Sequence, residues 1–409
     1  MTVDDTGEID LITLMTSPDR HALYARLRAR GPVVRCRFID GTPMWLVTRH
    51  AEALQVLADP RLVNDSAKHG RINVAAANAL PEDLGRYFTG NMLDRDPPEH
   101  TRLRKLVARV FTARAVRELR PVVEELTGGL LDAGTSAQRF DLVTGLAEPL
   151  PVRVICRLFG VPEHQWDLWA THSRALTSMD EGVTDAARGL VGLALELITD
   201  KRRTPGDDLV SELVRLNDAE SDRLSDDELV TTVITLLGTG HESTVQLVGN
   251  GMYALVAHPD QADLLRADPD RIPAAVEEFL RFFTPFELSG LRFTDAPVEI
   301  GGVLIPEGEA VQVALAAADR DPRAFAHADR LDVTRTDAGR HLALGHGIHY
   351  CIGAALARTQ AETAVREVLR RFPRLRPAVP LSEVPWRHTF VSGPASLPVE
   401  AAVAQGAAR

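Results

Sequence analysis

The residues of this 409-residue chain that could do chemistry fall into three short stretches, and the densest reads Leu344-Gly345-His346-Gly347-Ile348-His349-Tyr350-Cys351-Ile352-Gly353. A single cysteine stands in a glycine-rich, histidine-bearing loop, immediately before an amphipathic segment from about Ala354 to Phe372. That order predicts a sulfur at a helix N-terminus, where unpaired N–H groups and the positive end of the dipole favour an anion and lower a thiol's pKa. A thiolate is a soft, electron-rich metal ligand. Gly345, Gly347 and Gly353 would let the backbone turn tightly around it and come close to a flat partner. Two other readings stand beside this one. A free cysteine is most often a small buried hydrophobe. His346, His349 and Cys351, with His341 as a fourth, also make a zinc set, although no second cysteine cluster accompanies them.

The second stretch is Asp96-Pro97-Pro98-Glu99-His100-Thr101-Arg102-Leu103-Arg104. Acid and proline in a first turn predict a helix start, and His100 and Arg104 then share a face at i and i+4. By itself this is compatible with an ordinary exposed pair. The third stretch, Gly238-Thr239-Gly240-His241-Glu242-Ser243-Thr244, interrupts an apolar helical pattern. Its two glycines weaken a helix by about 1 kcal/mol each, and its hydroxyls compete for backbone carbonyls, so a local opening of the helix is expected there. Val245 occupies the place of the second histidine in His-Glu-x-x-His, so no zinc-protease motif is present. A buried acid that is neutral or paired with His241 is the plainer reading of Glu242.

Together these stretches resemble the cytochrome P450 family. The cysteine loop is similar to the family's haem signature Phe-x-x-Gly-x-His-x-Cys-x-Gly, with Gly347, His349, Cys351 and Gly353 in place and Leu344 at the usual Phe. The third stretch resembles the oxygen-binding helix, Ala-Gly-x-Glu/Asp-Thr-Thr, with Gly240, Glu242 and Thr244 matching, Thr239 for Ala or Gly, and Ser243 for Thr. Glu278-x-x-Arg281 is similar to the family's Glu-x-x-Arg, which joins an arginine in Asp329-Arg330-Leu331-Asp332 to lock the haem loop. By resemblance, Cys351 is the metal ligand of haem b, and a thiolate there pushes electron density toward O–O cleavage. His100, Arg104, Arg292 and His349 would neutralise the propionates, and Gly240 would lie against the cofactor. Glu242 with Ser243 or Thr244 would deliver protons. Thr239, Phe286, Leu288, Leu291 and Val391 would border the substrate.

The elements that must position these residues are legible from periodicity. Ser17-Pro18-Asp19 caps a helix from His21 to Ala29, and Val33 to Phe38 with Met44 to Thr48 read as a β-hairpin. Arg61 to Arg95 shows no sustained periodicity and reads as a binding loop. Residues 116–200 are mostly helical, with Trp166, Trp169 and Met179 in the segment that roofs the pocket in relatives. Ser225-Asp226-Asp227-Glu228 is a capping box for the longest helical pattern, which runs to His258-Pro259. Strands follow around Pro306, from Val298 to Ile305 and Ala310 to Ala314, and a hairpin-like segment at Phe390-Val391-Ser392-Gly393 ends the pattern. The implied fold is mainly α with small peripheral β-sheets in a single domain, residues 1–20 forming a tail and 21–409 the haem-thiolate unit.

Composition sets the limits. With 45% hydrophobic and 25% charged residues the chain is ordinary for a soluble globular protein. A net charge of −11 disfavours nucleic acid as a partner. No apolar run approaches the ~20 residues of a membrane span, no signal peptide is visible, and three scattered cysteines point to a reducing cytoplasm. Basic residues cluster at Arg102, Arg104, Lys105, Arg109, Arg114 and Arg117 and at Arg358, Arg366, Arg370 and Arg371. They read as solvated faces or as a docking patch for an acidic electron donor. The resemblance implies monooxygenation, with electrons from a separate ferredoxin and ferredoxin reductase. Leu80 to Arg104 looks like actinobacterial enzymes that tailor macrolides, so a bulky hydrophobic macrolide-like substrate is expected, to be hydroxylated or epoxidised in antibiotic biosynthesis. Terpenoid, steroid, fatty-acid or xenobiotic substrates, a peroxide-driven enzyme, and a non-catalytic haem-binding protein are the alternatives.

Overall fold

The alternation at residues 33–48 becomes an antiparallel pair with Val33 opposite Val47 and Arg37 opposite Pro43. The computed structural model describes residues 8–66, 80–135, 139–177, 182–219, 224–388 and 391–402. Met179, Phe390 and residues 67–79 of the irregular stretch lie outside them. The strands among the described residues are β1 (Ile9–Asp10), β2 (Val33–Arg37), β3 (Pro43–Val47), β4 (Leu62–Val63), β5 (Arg139–Asp141), β6 (Arg292–Thr294), β7 (Val298–Ile300), β8 (Val303–Ile305), β9 (Ala310–Val313), β10 (Arg374–Pro377), β11 (Trp386–His388), β12 (Ser392–Pro394) and β13 (Pro398–Ala402). One six-stranded sheet runs in the order β1-β2-β3-β9-β6-β4, and the remaining strands make three small sheets. Helices form everything else of size, so the architecture is mainly α with peripheral sheets, as expected. Among the described residues no helix is long and apolar enough to cross a membrane.

The stretch expected as an N-terminal tail is built into this frame. Ile9–Asp10 pairs in parallel with Cys36 and Arg37, and the helix Leu11–Thr16 buries Leu11, Leu14 and Met15. Asp10 caps that helix by accepting from the Thr13 N–H at 2.6 Å. Two buried leucines in so short a segment are too few for a periodic signal, which is why the sequence reads there as a tail.

The long helix, Asp226–Ala257, starts at the predicted capping box, with Ser225 Oγ accepting from the Glu228 N–H and Glu228 Oε2 from the Ser225 N–H. It continues without a break through Gly238 and Gly240. The expected opening does not occur. Burial of Leu236, Leu237, His241, Glu242, Thr244 and Val245 on both sides of the glycines holds the backbone helical against their weak propensity. The helices Pro149–Phe159, Val183–Arg203 and Ala354–Arg371 pack around it. Their shared core includes the fully buried Phe159, Phe279 and Phe372, each contributing roughly 2–3 kcal/mol by removal from water.

Two ionic constructions fasten the segment that leads to the cysteine loop, and the loop itself, to this core. In the first, Arg281 is completely buried, as is Glu278 beside it. The pair is bidentate at 2.7 and 2.8 Å, and the same guanidinium donates to the carbonyls of Asp319, Ala328 and Arg330. The arginine that completes the triad is Arg335, whose Nε lies 3.2 Å from Glu278 Oε2. Arg330, in the segment expected to supply it, contributes only its carbonyl. In the second, Glu277 takes a bidentate pair from Arg358 at 2.6 and 2.8 Å and a contact from His341 Nε2 at 3.2 Å. Arg358 also donates to the Tyr350 hydroxyl at 3.1 Å, next to Cys351. Burial pulls the Glu277 carboxyl upward, but the hydrogen bonds from Arg358 and His341 outweigh it and hold it at about 2.

Glu278→Ala leaves a buried guanidinium uncompensated and is expected to cost about 3–5 kcal/mol, read from denaturant unfolding; a loss below about 1 kcal/mol would show that the pair is not the support described. The Glu277 carboxyl has a folded-state pKa below its ordinary 4.5. Its stabilisation is therefore present above pH 4.5 and lost as pH falls toward 2. Glu277→Gln is expected to flatten that acid limb in a stability-versus-pH series.

Candidate active site

Cys351 follows a short 3₁₀ turn, Gly347–His349, and precedes the helix Ala354–Arg371, as the sequence predicts. The loop is closed by the Cys351 N–H donating to the Leu344 carbonyl at 2.9 Å, and Leu344 packs partly buried against the helical core. Gly347 has φ +72° and a Cβ there would meet the Leu57 carbonyl oxygen at 2.6 Å, so no other residue fits. Gly345 also has positive φ, at +74°. The Cys351 side chain is exposed, whereas Cys36 and Cys156 are buried. The surrounding protein nevertheless raises its pKa, against the pull of the Gly353 N–H, Arg104 and Arg358. The expected lowering by the helix terminus is thus outweighed by desolvation; a bound cation reverses that balance by deprotonating a coordinating thiol.

His341 belongs to Glu277 and to the Ala343 N–H, not to Cys351. Among the described residues no group of three His, Cys, Asp or Glu side chains could hold an ion. The zinc arrangement of His341, His346, His349 and Cys351 is therefore not assembled.

The helix Glu99–Val110 brings His100 against His349, ring centroids 4.2 Å apart. The Nε2 atoms of both are buried without a hydrogen-bond partner. Arg104 donates to the Tyr350 carbonyl, and Arg292, buried at the start of β6, donates to the Leu62 carbonyl at 3.2 Å. No carboxylate among the described residues bonds to any of the four. Burial pulls the Arg292 guanidinium down to about 10. Burial, with the charges of His100, Arg292 and Arg104, depresses His349 to about 3. Two orphaned imidazole nitrogens and two guanidiniums bonded only to carbonyls form a cradle suited to an anion, beside an accessible thiol. A flat metallocycle with two carboxylates fits this donor set: Cys351 suits the metal, and His100, Arg104, Arg292 and His349 suit the carboxylates.

On the long helix, His241, Glu242 and Thr244 are buried, Ser243 is half-buried and Gly240 is exposed. The His241 Nδ1 lies 2.8 Å from the Leu237 carbonyl and Thr244 Oγ1 donates to that of Gly240 at 3.4 Å. Glu242 Oε1 stands 3.8 Å from His241 Nε2. Burial lowers the His241 pKa, favouring the neutral ring. Glu242 borders a cavity of about 10 Å³, room for roughly one water, together with Glu148, Arg174 and Arg387. Arg387 bonds to Glu148, and Arg174 lies 3.8 Å from it. These three residues come from separate segments and carried no sequence signal. Ser243 is not among the residues that line this cavity. The side chain of Thr239 lies outside the described ones.

The residues expected at the substrate wall are partly brought together. Phe286 bridges Val391, 105 positions away, and Leu288 bridges Ala314. Phe286, Leu288 and Leu291 are half-buried, and Val391 is buried. The basic docking patch is largely committed elsewhere: Arg102 pairs with Glu228, Arg114 with Glu118, Arg358 with Glu277, Arg370 with Glu367 and Arg371 with Asp132. Lys105 and Arg117 remain exposed without an ion pair among the described residues.

Known proteins of the same shape account for this constellation. The family profile described as Cytochrome P450 matches residues 149–378, more than half the chain. The 6-deoxyerythronolide B hydroxylase of Saccharopolyspora erythraea is 43% identical, the match covering 91% of this chain and 93% of that one. The vitamin D(3) 25-hydroxylase of Pseudonocardia autotrophica is 42% identical over 98% of both chains. The tirandamycin C-bound P450 monooxygenase TamI superposes with a TM-score of 0.87 at 40% identity, covering 96% of this chain and 100% of TamI. By the profile match, the identity and coverage of these relatives and the likeness in shape, this chain belongs to the cytochrome P450 family and is a monooxygenase of that family.

Proposed function

We propose that this monooxygenase oxidises a bulky macrolide-like polyketide, at a C–H bond or a C=C bond, with haem b bound at Cys351 and electrons supplied by a separate ferredoxin and its reductase. The observation that carries the site assignment is the pair of orphaned nitrogens at His100 and His349 beside Arg104, Arg292 and the Cys351 thiol. Bound there, haem iron supplies the activation of dioxygen and transfer of one oxygen atom. Cys351 ligates the metal, and the four cationic or imidazole groups neutralise the propionates. The exposed Lys105 and Arg117, with Ile348 and Tyr350 exposed on the cysteine loop, suit an acidic, partly apolar electron donor on that side. Three unpaired cysteines suit a reducing cytoplasm.

Proton delivery is assigned to Glu242 and Ser243. Glu242 borders a cavity lined by charged side chains beside the long helix, with His241 next to it and room for a water. A carboxyl so placed can collect a proton from that side and release it. Ser243 is the adjacent half-buried alcohol, outside the cavity lining, while the Thr244 hydroxyl is turned back onto the Gly240 carbonyl. Neutral His241 holds its Nδ1 on the Leu237 carbonyl, leaving Nε2 toward Glu242.

Macrolide-like substrates are favoured by the likeness to the 6-deoxyerythronolide B hydroxylase and by the apolar wall of Phe286, Leu288 and Leu291. The vitamin D(3) 25-hydroxylase, at nearly the same identity, supports a secosteroid as the second reading. Optical titration with both compound classes separates them, the true class giving a displaced-water shift.

The dithionite-reduced holoprotein is expected to show a strongly red-shifted Soret band with carbon monoxide, lost in Cys351→Ala; a band where histidine-ligated haems absorb would remove the thiolate. Glu242→Gln is expected to slow turnover about 100-fold and to lower product formed per NADPH consumed, with Ser243→Ala behaving alike and Thr244→Val near the parent. Unchanged coupling in Glu242→Gln would sink its role.

A further inference from the structure

Arg20 opens the helix Arg20–Arg30, on the opposite edge of the chain's order from Glu287 and Ser392, yet its guanidinium joins the two. Nε donates to Glu287 Oε1 at 2.5 Å and Nη2 donates to Ser392 Oγ at 2.7 Å. All three residues are buried. Tyr24, one turn along the same helix, donates to the second Glu287 oxygen at 3.2 Å, and the Trp386 indole donates to Ser392 Oγ at 2.9 Å.

The two residues so joined lie immediately behind the two segments of the substrate wall. Side chains of an extended segment alternate between faces. Glu287 is buried, and its neighbours Phe286 and Leu288 are half-buried on the other face. Ser392 follows Val391, the residue that bridges Phe286, and its N–H donates to the Pro285 carbonyl at 2.9 Å. Strand β12 is fixed from the other direction by the long helix. A Cβ on Gly393 would stand 2.1 Å from Gln246 Oε1, and Asn250 Nδ2 donates to both the Ser392 and Phe283 carbonyls at 3.0 Å. The segment at 286–288 is held by fewer backbone bonds, the Ala316 N–H donating to the Glu287 carbonyl at 3.2 Å and the next residue's N–H, that of Ser289, to the Val313 carbonyl at 2.9 Å. It is paired by isolated bridges instead of a ladder, and the ion pair from Arg20 ties it to β12.

A buried ion pair adds little net stability over an apolar replacement; its planar, bidentate geometry instead dictates where its partners sit. We propose that Arg20, touching neither substrate nor cofactor, is a positioning residue for specificity: it sets the spacing between Phe286–Leu288 and Val391 from behind the wall. This rests on the reading of those residues as the substrate wall.

The test uses the haem-loaded protein and two azoles titrated by optical shift. Imidazole is too small to reach the wall, whereas the three aryl rings of clotrimazole fill the space it encloses. Arg20→Met is expected to weaken clotrimazole about tenfold, the worth of one misplaced apolar contact, and imidazole by less than about twofold. Ser392→Ala keeps the Arg20–Glu287 pair, is expected to weaken clotrimazole in the same sense, and carries the test if Arg20→Met does not take up haem. Phe286→Ala is the control for the wall itself. Unchanged clotrimazole affinity in the Arg20 and Ser392 variants, with a loss in Phe286→Ala, overturns the proposal and leaves the wall standing. No change in any of the three overturns the wall assignment as well. Equal losses for both azoles also overturn the proposal, because they report on the haem site and not on the spacing of the wall.

Discussion

A cluster of two guanidiniums and two imidazoles beside the cysteine loop is the constraint on which this structure turns. Arg292 and Arg104 reach only carbonyl oxygens, and His100 and His349 stack with their outer nitrogens unpaired. Such an arrangement is expensive in a low-dielectric interior, and burial answers by pulling both Arg292 and His349 toward their neutral forms. An anion held between the four groups would offset that cost. In the proposed reading a dianionic haem completes the electrostatics and the cysteine loop completes the coordination, so cofactor binding and stability of this region are linked.

Around that centre the protein is fastened by buried and half-buried ion pairs. Glu278, Arg281 and Arg335 tie the segment after β9 to the helix Ile272–Phe282, while Glu277, Arg358 and His341 hold both ends of the cysteine loop. Adjacent acids on one helix thus serve opposite directions. Gly347 contributes by what it lacks, since the backbone of Leu57 occupies the space of any side chain. A ligand loop supported from two sides keeps a sulfur in place more securely than one held by its own turns.

The long helix shows how packing overrides local preference. Two glycines and three hydroxyls in seven residues favour an opening, yet the buried flanks keep the ladder intact. What the composition does instead is chemical. It leaves Gly240 bare, places Glu242 but not Ser243 in the wall of a charged cavity, and sends the Thr244 hydroxyl back to a carbonyl.

The sequence by itself determined whatever depends on neighbours within about one helical turn: the cysteine ahead of its helix, the capping box at Ser225, the shared face of His100 and Arg104, and the alternation of β2 and β3. Glycine and proline restrict φ locally, and helical or strand periods place side chains without reference to the rest of the chain. Tertiary structure alone decided which distant charges meet. Arg335 and not Arg330 completes the Glu278 group, Arg174 and Arg387 gather beside Glu242, and Arg20 reaches Glu287 across 267 positions. It also decided the sign of the Cys351 shift, where surrounding protein outweighs the helix terminus. Long arginine side chains can satisfy many partners equally well, so their choice is made by loop closure and burial, and neither leaves a periodic trace in the order of residues.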